Sequence, residues 1–283
     1  MRLNGVIDRF ERGERVFATF SSPEPSASIA LRGTDYDALI FEAEHKPWDV
    51  PALRDALQYL LDRREVSEAA SLAPAITPLV RIPPNGGERS QWHAKQALDL
   101  GAYGIVWPHV DTVEDARNAV AACRYPGSNQ DSAVEPYGLR GDSPAWAARY
   151  WGVPISEYYE RADVWPLEPA GEILVAIMIE SVRAIENLDT ILETVPGIGL
   201  VLVGEGDLSQ ELGVPRQFEH PTVQEHRDRV VDICQARGVA VGHPHVTDKN
   251  VDEVIERGYQ FLMTAPVTSY PALERGRKAA RRG

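Results

Sequence analysis

Eight short apolar runs alternate along this chain with segments of helical period, and that rhythm leaves few folds open. The runs are Val16–Ser21, Ala38–Glu42, Pro78–Ile82, Gly104–Trp107, Ile173–Ile179, Gly199–Val203, Val239–Gly242 and Gln260–Thr264. Runs this short and this rich in Ile and Val predict strands buried on both faces, as in a parallel sheet. Helical spacing falls on Pro51–Arg63, Gln91–Leu100, Val113–Cys123, Ala184–Thr194, Val223–Arg237 and Val251–Glu256. Glycine stands where each helix must stop, as in Asp99-Leu-Gly-Ala-Tyr-Gly104 and Val195-Pro-Gly-Ile-Gly199. The pattern predicts an α/β protein with a (β/α)8 TIM barrel, a closed parallel sheet with outer helices, as one domain over 1–283. An open doubly wound sheet is the competing fold. It usually carries a Gly-rich phosphate turn after its first strand, and Ser21-Ser-Pro-Glu-Pro25 is not one.

One stretch breaks the rhythm. Tyr125 to Gly171 is rich in proline and aromatic residues, which predicts an ordered excursion or an oligomer contact. Trp146, Trp151, Tyr158 and Trp165 there also hint at contact with a large or aromatic acceptor substrate.

Composition narrows the function. A net charge of −13 disfavours a nucleic-acid or anionic-membrane surface, because a polyanion needs a basic footprint. No apolar run has the length to span a bilayer, and Met1 to Arg15 lacks a signal-peptide core, so the expected compartment is the cytoplasm. Cys123 and Cys234 show no CxxC spacing, which argues against a disulfide scaffold or zinc knuckle.

In such a barrel the active site lies at the C-terminal strand ends. Those ends carry Glu42, Glu44 and His45; Arg81 and Asn85; His109; Glu180; Glu205 and Asp207; His243 and His245. An acid at a buried strand tip is costly unless a cation pairs with it. Glu180 and Asp207 stand on successive strand ends, a geometry suited to an oxygen-ligated divalent metal. Each also has a plainer reading as a helix cap, and His109 as a cap for the helix starting near Thr112. Gly204-Glu-Gly-Asp-Leu-Ser209 puts small residues at a helix start, where backbone N–H groups can receive an anion. His243 and His245, around Pro244, stay outside the expected site.

Taken together, the chain resembles the HpcH/HpaI aldolase family, the metal-dependent pyruvate aldolases, over about Phe17 to Ala265. The likeness rests on Phe41-Glu-Ala-Glu-His45, Leu79-Val-Arg-Ile-Pro83, Leu98-Asp-Leu-Gly-Ala102, Arg124-Tyr-Pro126, Gly138-Leu-Arg-Gly141, Met178-Ile-Glu-Ser181 and Val203-Gly-Glu-Gly-Asp-Leu-Ser209. The resemblance implies a divalent metal (Mg²⁺, Mn²⁺ or Co²⁺) on Glu180 and Asp207, and Arg81 at the enolate oxygen. It implies His45 as acid–base residue, with Asp99 orienting it across a subunit contact. It places the substrate carboxylate on the amides of Glu205 and Gly206. His109, from its own strand end, is a further candidate for the substrate side. Family members form trimers of dimers with the last helix exchanged, which implies a homo-hexamer here. The chain departs from the family pattern in three places: Glu42 with Ala43, Met178, and Glu205 in the metal turn, which adds negative charge beside the ion. Pro108-His109-Val-Asp-Thr112 is similar to the corresponding stretch of macrophomate synthase.

The expected partners are a small 2-oxo acid and an aldehyde, and the expected reaction forms or breaks a carbon–carbon bond beside a pyruvate-type enolate. A Schiff-base aldolase needs a lysine in the barrel mouth, and of Lys46, Lys95, Lys249 and Lys278 only Lys46 lies near a strand end. An oxaloacetate-type decarboxylase or acyl-CoA lyase would use the same metal site. A barrel that binds a 2-oxo acid without catalysis is the reading from another class.

Overall fold

The computed structural model describes residues 1–84, 90–127, 135–264 and 271–280. Asn85 and Ala265, both named above, lie outside them. Among the described residues nine strands form one parallel sheet: β1 (Val16–Ser21), β2 (Ala38–Glu42), β3 (Thr77–Arg81), β4 (Gly104–Trp107), β5 (Val164–Trp165), β6 (Ile173–Ile179), β7 (Leu200–Val203), β8 (Ala240–His243) and β9 (Phe261–Thr264). Their order is β4-β3-β2-β1-β9-β8-β7-β6-β5, and β4 also pairs with β6, which closes eight strands into a barrel. The predicted strands therefore match in position to within a residue. The two-residue β5 is an addition, a short edge strand beside the start of β6.

The pleat sorts side chains by parity. Ala18, Ala38, Ile40, Leu79, Val106, Leu174, Ala176, Leu200, Leu202 and Phe261 fill the barrel interior. Their alternates, among them Phe17, Leu39, Phe41, Val80, Ile105, Ile177 and Val203, pack against the outer helices. Carried to the C-terminal tips, the inward series reaches Glu42 on β2, Arg81 on β3 and Glu180 after β6. The same alternation that buries the core therefore aims these polar groups at one mouth.

The opposite end is stoppered. The helix Gly5–Glu11 is capped by Asn4, whose side chain accepts from Val6 and Ile7 N–H. Val6, Ile7 and Phe10 join the interior cluster. Asn4 itself donates to the Tyr103 and Glu172 carbonyls, at 2.9 and 3.0 Å, just before β4 and β6 begin.

The Tyr125–Gly171 excursion is ordered where described, with helices Ala145–Trp151 and Ile155–Arg161. A buried Arg124–Asp163 pair, at 2.6 and 3.0 Å, ties its two ends together. Three of the four aromatics expected to face a substrate are turned elsewhere, and Trp146 is exposed beside Arg54 and Arg149. Trp151 and Tyr158 are core residues, Trp151 stacking on Tyr103, while Trp165 lies against Phe10 at the stoppered end. The helix Pro271–Ala280 docks on its own chain, Arg275 on Asp252 and Arg277 on Asp37. Among the described residues no helix is long and apolar enough to cross a membrane.

Candidate active site

Register sets the first contact at the mouth. Glu42 and Arg81 are partners across β2 and β3, and Arg81 Nε donates to Glu42 Oε2 at 2.9 Å, with Nη2 on the same oxygen. The other Glu42 oxygen accepts from Glu44 and His45 N–H, at 2.8 and 3.1 Å, and so folds the loop after β2. Arg81 Nη1 lies 3.1 Å from Glu44 Oε2 and 3.8 Å from the Met178 sulfur, and the guanidinium covers the Phe20 ring at 4.4 Å. Two of the three departures thus pack on Arg81.

Glu44 was named at the end of β2 but given no role in the expected site. It continues the inward parity of Ala38, Ile40 and Glu42, and that was the available signal. Its buried carboxylate lies 3.5 Å from His45 Nε2 and 3.7 Å from His109 Nε2. Burial raises its pKa, against the charges of Arg81, His45 and His109. His45, 68% exposed, stands over it at the rim.

On the facing side, Glu180 is nearly buried, with its side chain 3% exposed. It accepts the His109 backbone N–H at 2.7 Å, and the His109 ring nitrogen Nδ1 lies 3.8 Å away. His109 holds φ at +51°, a left-handed conformation that is uncommon outside glycine, and one that lets its amide reach the carboxylate. One ligand atom each from His109, Glu180 and Asp207 lies within 4.8 Å of the others. Burial pushes the Glu180 carboxyl up to about 7. His109 opposes the rise, and the negative charges of Glu44 and Asp207 add to it. A buried carboxylate crowded by other acids, as Glu180 is, is a donor that a divalent cation fits.

The plainer readings fail here. Ser181, not Glu180, caps the following helix, accepting Ala184 N–H at 2.9 Å. Thr112 and Asp115 form the capping box of the next helix, so His109 is not its cap. Asp207 lies in the first turn of the helix Glu205–Glu211, which has no side-chain cap.

Glu205 does not add a loose charge beside the ion. Its buried carboxylate is bound by Arg227 Nη1 and His245 Nδ1, both at 2.6 Å. Burial disfavours its charge, but the His245 hydrogen bond, His243 and Arg227 outweigh that and hold its pKa below the usual range. Gly206 beside it has no atom within 4 Å of where a Cβ would stand. Asp99 is not brought to His45. It ends the helix Gln91–Asp99, ahead of the N-terminal end of β4, and pairs with Arg140 at 3.0 Å. Within one chain it lies at the far end of the barrel from His45.

A closed (β/α)8 barrel with a carboxylate cluster and an arginine at its C-terminal mouth has the parts of a metal-dependent enzyme site. The profile of the HpcH/HpaI aldolase/citrate lyase family matches residues 17–266. The chain belongs to that family and is a carbon–carbon lyase of the divalent-metal aldolase kind. Relatives include the 2-keto-3-deoxy-L-rhamnonate aldolase of Klebsiella pneumoniae, 34% identical over 89% of this chain and 82% of its own length. The protein of the same name from Salmonella schwarzengrund is 35% identical over 92% and 85%. An HpcH/HpaI aldolase/citrate lyase family protein of Burkholderia cenocepacia superposes with a TM-score of 0.75 at 28% identity, covering 99% and 98% of the two chains. Macrophomate synthase shares the fold, with a TM-score of 0.69 at 24% identity and coverage of 98% and 88%.

Proposed function

We propose that this chain breaks the C3–C4 bond of a 4-hydroxy-2-oxo acid to give pyruvate and an aldehyde, and joins them in reverse. The names of the relatives point to a 2-keto-3-deoxy sugar acid as the substrate class. The observation that carries the reading is the convergence of His109, Glu180 and Asp207, linked through Glu44 to Arg81.

Glu180 and Asp207 would hold Mg²⁺, Mn²⁺ or Co²⁺, which supplies Lewis acidity at the 2-oxo group. His45 takes the proton of the 4-hydroxyl, the C3–C4 electron pair moves into the C2 carbonyl, and C4 leaves as the aldehyde. Arg81 faces the resulting enolate oxygen, and C3 then takes a proton to give pyruvate. A fixed cation aimed at developing negative charge is commonly the largest part of such catalysis. Glu44 orients both Arg81 and His45. His109 lies beside the keto acid. The substrate carboxylate takes the amides of Glu205 and Gly206, first-turn N–H groups with no acceptor inside the helix. The acid–base pair is completed by Asp99 of a neighbouring copy in a homo-hexamer.

The test is retro-aldol cleavage of 4-hydroxy-2-oxo acids coupled to pyruvate detection, run metal-free and with Mn²⁺ restored. Cleavage that persists without metal, or a borohydride-trapped adduct, overturns the proposal. Faster turnover of oxaloacetate than of any hydroxy-oxo acid would assign decarboxylation instead.

A further inference from the structure

The turn that carries Asp207 has no side-chain cap. It is tied to β6 by the Gly204 N–H on the Ile179 carbonyl at 2.9 Å and closed by the Ser209 hydroxyl on the Gly206 carbonyl at 2.8 Å. Its helix, Glu205–Glu211, is seven residues long, and Gly204 at its N-cap has no side chain to cap it. Gly206 is unhindered on its Cβ side, and glycine loses more freedom on ordering than any other residue. Asp207 itself is exposed. Yet a metal ligand must be placed to within a fraction of an ångström.

A further hold on the turn comes from Glu205, 1% exposed and two residues before Asp207. Its strand parity is outward, so its carboxylate runs into the helix layer. There Arg227, on the helix Pro221–Arg237, holds one oxygen, and His245, beyond β8, holds the other. The grips come from two separate elements. His245 is itself fixed, its ring stacked on Phe218 at 4.5 Å and its N–H donating to His243 Nδ1 at 3.1 Å. His243 lies below, its Nε2 3.9 Å from Glu205.

We infer that Arg227 and His245, acting through Glu205, are positioning residues that fix the Gly204–Asp207 turn and thereby the metal ligand Asp207. The inference rests on the metal role proposed for Asp207. Residues that directly orient metal ligands commonly govern affinity about 10–100-fold when lost, and here the hold reaches Asp207 through two residues of backbone. A proline at position 205 would lock the same backbone by its ring, since the first helical position needs no N–H.

The experiment is Mn²⁺ binding to the metal-free full-length protein, followed by the free-ion paramagnetic resonance signal. Arg227→Met weakens Mn²⁺ binding by about tenfold, and Arg227→Lys recovers part of that loss. In a Glu205→Pro background the same Arg227→Met change costs less than about twofold. Equal losses in both backgrounds, or none in the parent, overturn the inference. Should Arg227→Met not fold, His245→Ala, at a half-exposed position, must weaken Mn²⁺ binding in the parent and not in the Glu205→Pro background. An Asp207→Asn protein that binds Mn²⁺ as the parent does removes the metal reading itself, apart from the clamp.

Discussion

Glu180 lies across Gly204. The two stand one step beyond the register pair Ile179 and Val203, and a Cβ on Gly204 would meet the Glu180 side chain at 2.3 Å. The glycine is there for space, since its φ of −94° is open to any residue. Gly204→Ala therefore displaces the buried carboxylate. Overpacking of this kind costs about 1–3 kcal/mol of stability. Thermal melts should fall by that amount, and Mn²⁺ titration should show the larger effect, a loss of at least about tenfold in affinity. Unchanged Mn²⁺ binding would show that Glu180 is not a ligand.

Metal dependence has a stability signature. A ligand at a hundred times its Kd adds about 2.7 kcal/mol to the folded state. EDTA-treated protein should regain that increment on addition of Mn²⁺ and lose most of it in Glu180→Gln. Equal thermal shifts in parent and variant would place the ion elsewhere.

The pH dependence follows from Glu180. Its folded pKa of about 7 lies above the ordinary 4.5, so between those values the metal-free fold keeps a proton that the unfolded chain has released. This group's contribution to stability is thus full below pH 4.5 and lost as pH rises through 7. Mn²⁺ takes the ionised form, so its affinity should climb from about pH 5.5 to 7 and level off above. Calorimetry in buffers of different ionisation enthalpy should detect the proton released on binding near pH 6. A Kd that is flat over that range would contradict the assignment.

Arg81 is held as a fork by Glu42, with Glu44 beside it, so Arg81→Lys is not conservative. The expected result is a fall in kcat of about 10²–10³-fold. A drop confined to KM would mean that Arg81 only binds.

Asp99 supplies a test of assembly. If it serves the His45 of a neighbouring copy, then His45→Ala and Asp99→Ala proteins are each impaired, but mixed and reassembled they make some intact sites. Random mixing should restore about a quarter of parental activity. Activity no higher than that of the separate variants would leave Asp99 with a structural role beside Arg140.

The barrel was legible because strand burial has a period of two and the helices between have their own, and the two do not blur. Strand ends moved by no more than one residue, as at β3 and β8. The helix Gly5–Glu11 was passed over among charges, although Asn4 before Val6, Ile7 and Phe10 is a cap ahead of an apolar face. Pro51–Arg63 is in fact Val50–Leu60 followed by Arg63–Glu68, because Leu61 turns extended and Asp62 caps anew. At the site, sequence could name Glu180, Asp207 and Arg81 by position on a tip. It could not foresee that Arg227, 20 residues beyond Asp207, would neutralise Glu205, since that pairing depends on how a helix packs over β7 and β8. His109 was even between cap and site until its backbone turned left-handed toward Glu180.

The stopper at the barrel floor has a cost in synthesis. Val6, Ile7 and Phe10 are synthesised well before Phe261 and Met263, with which they share a cluster. A nascent chain must carry that greasy helix without its full set of partners until β9 has been made, exposed to wrong partners meanwhile. Fusion of a tag ahead of Met1 would then disturb yield and solubility far more than turnover, since the plug and the catalytic mouth are at opposite poles.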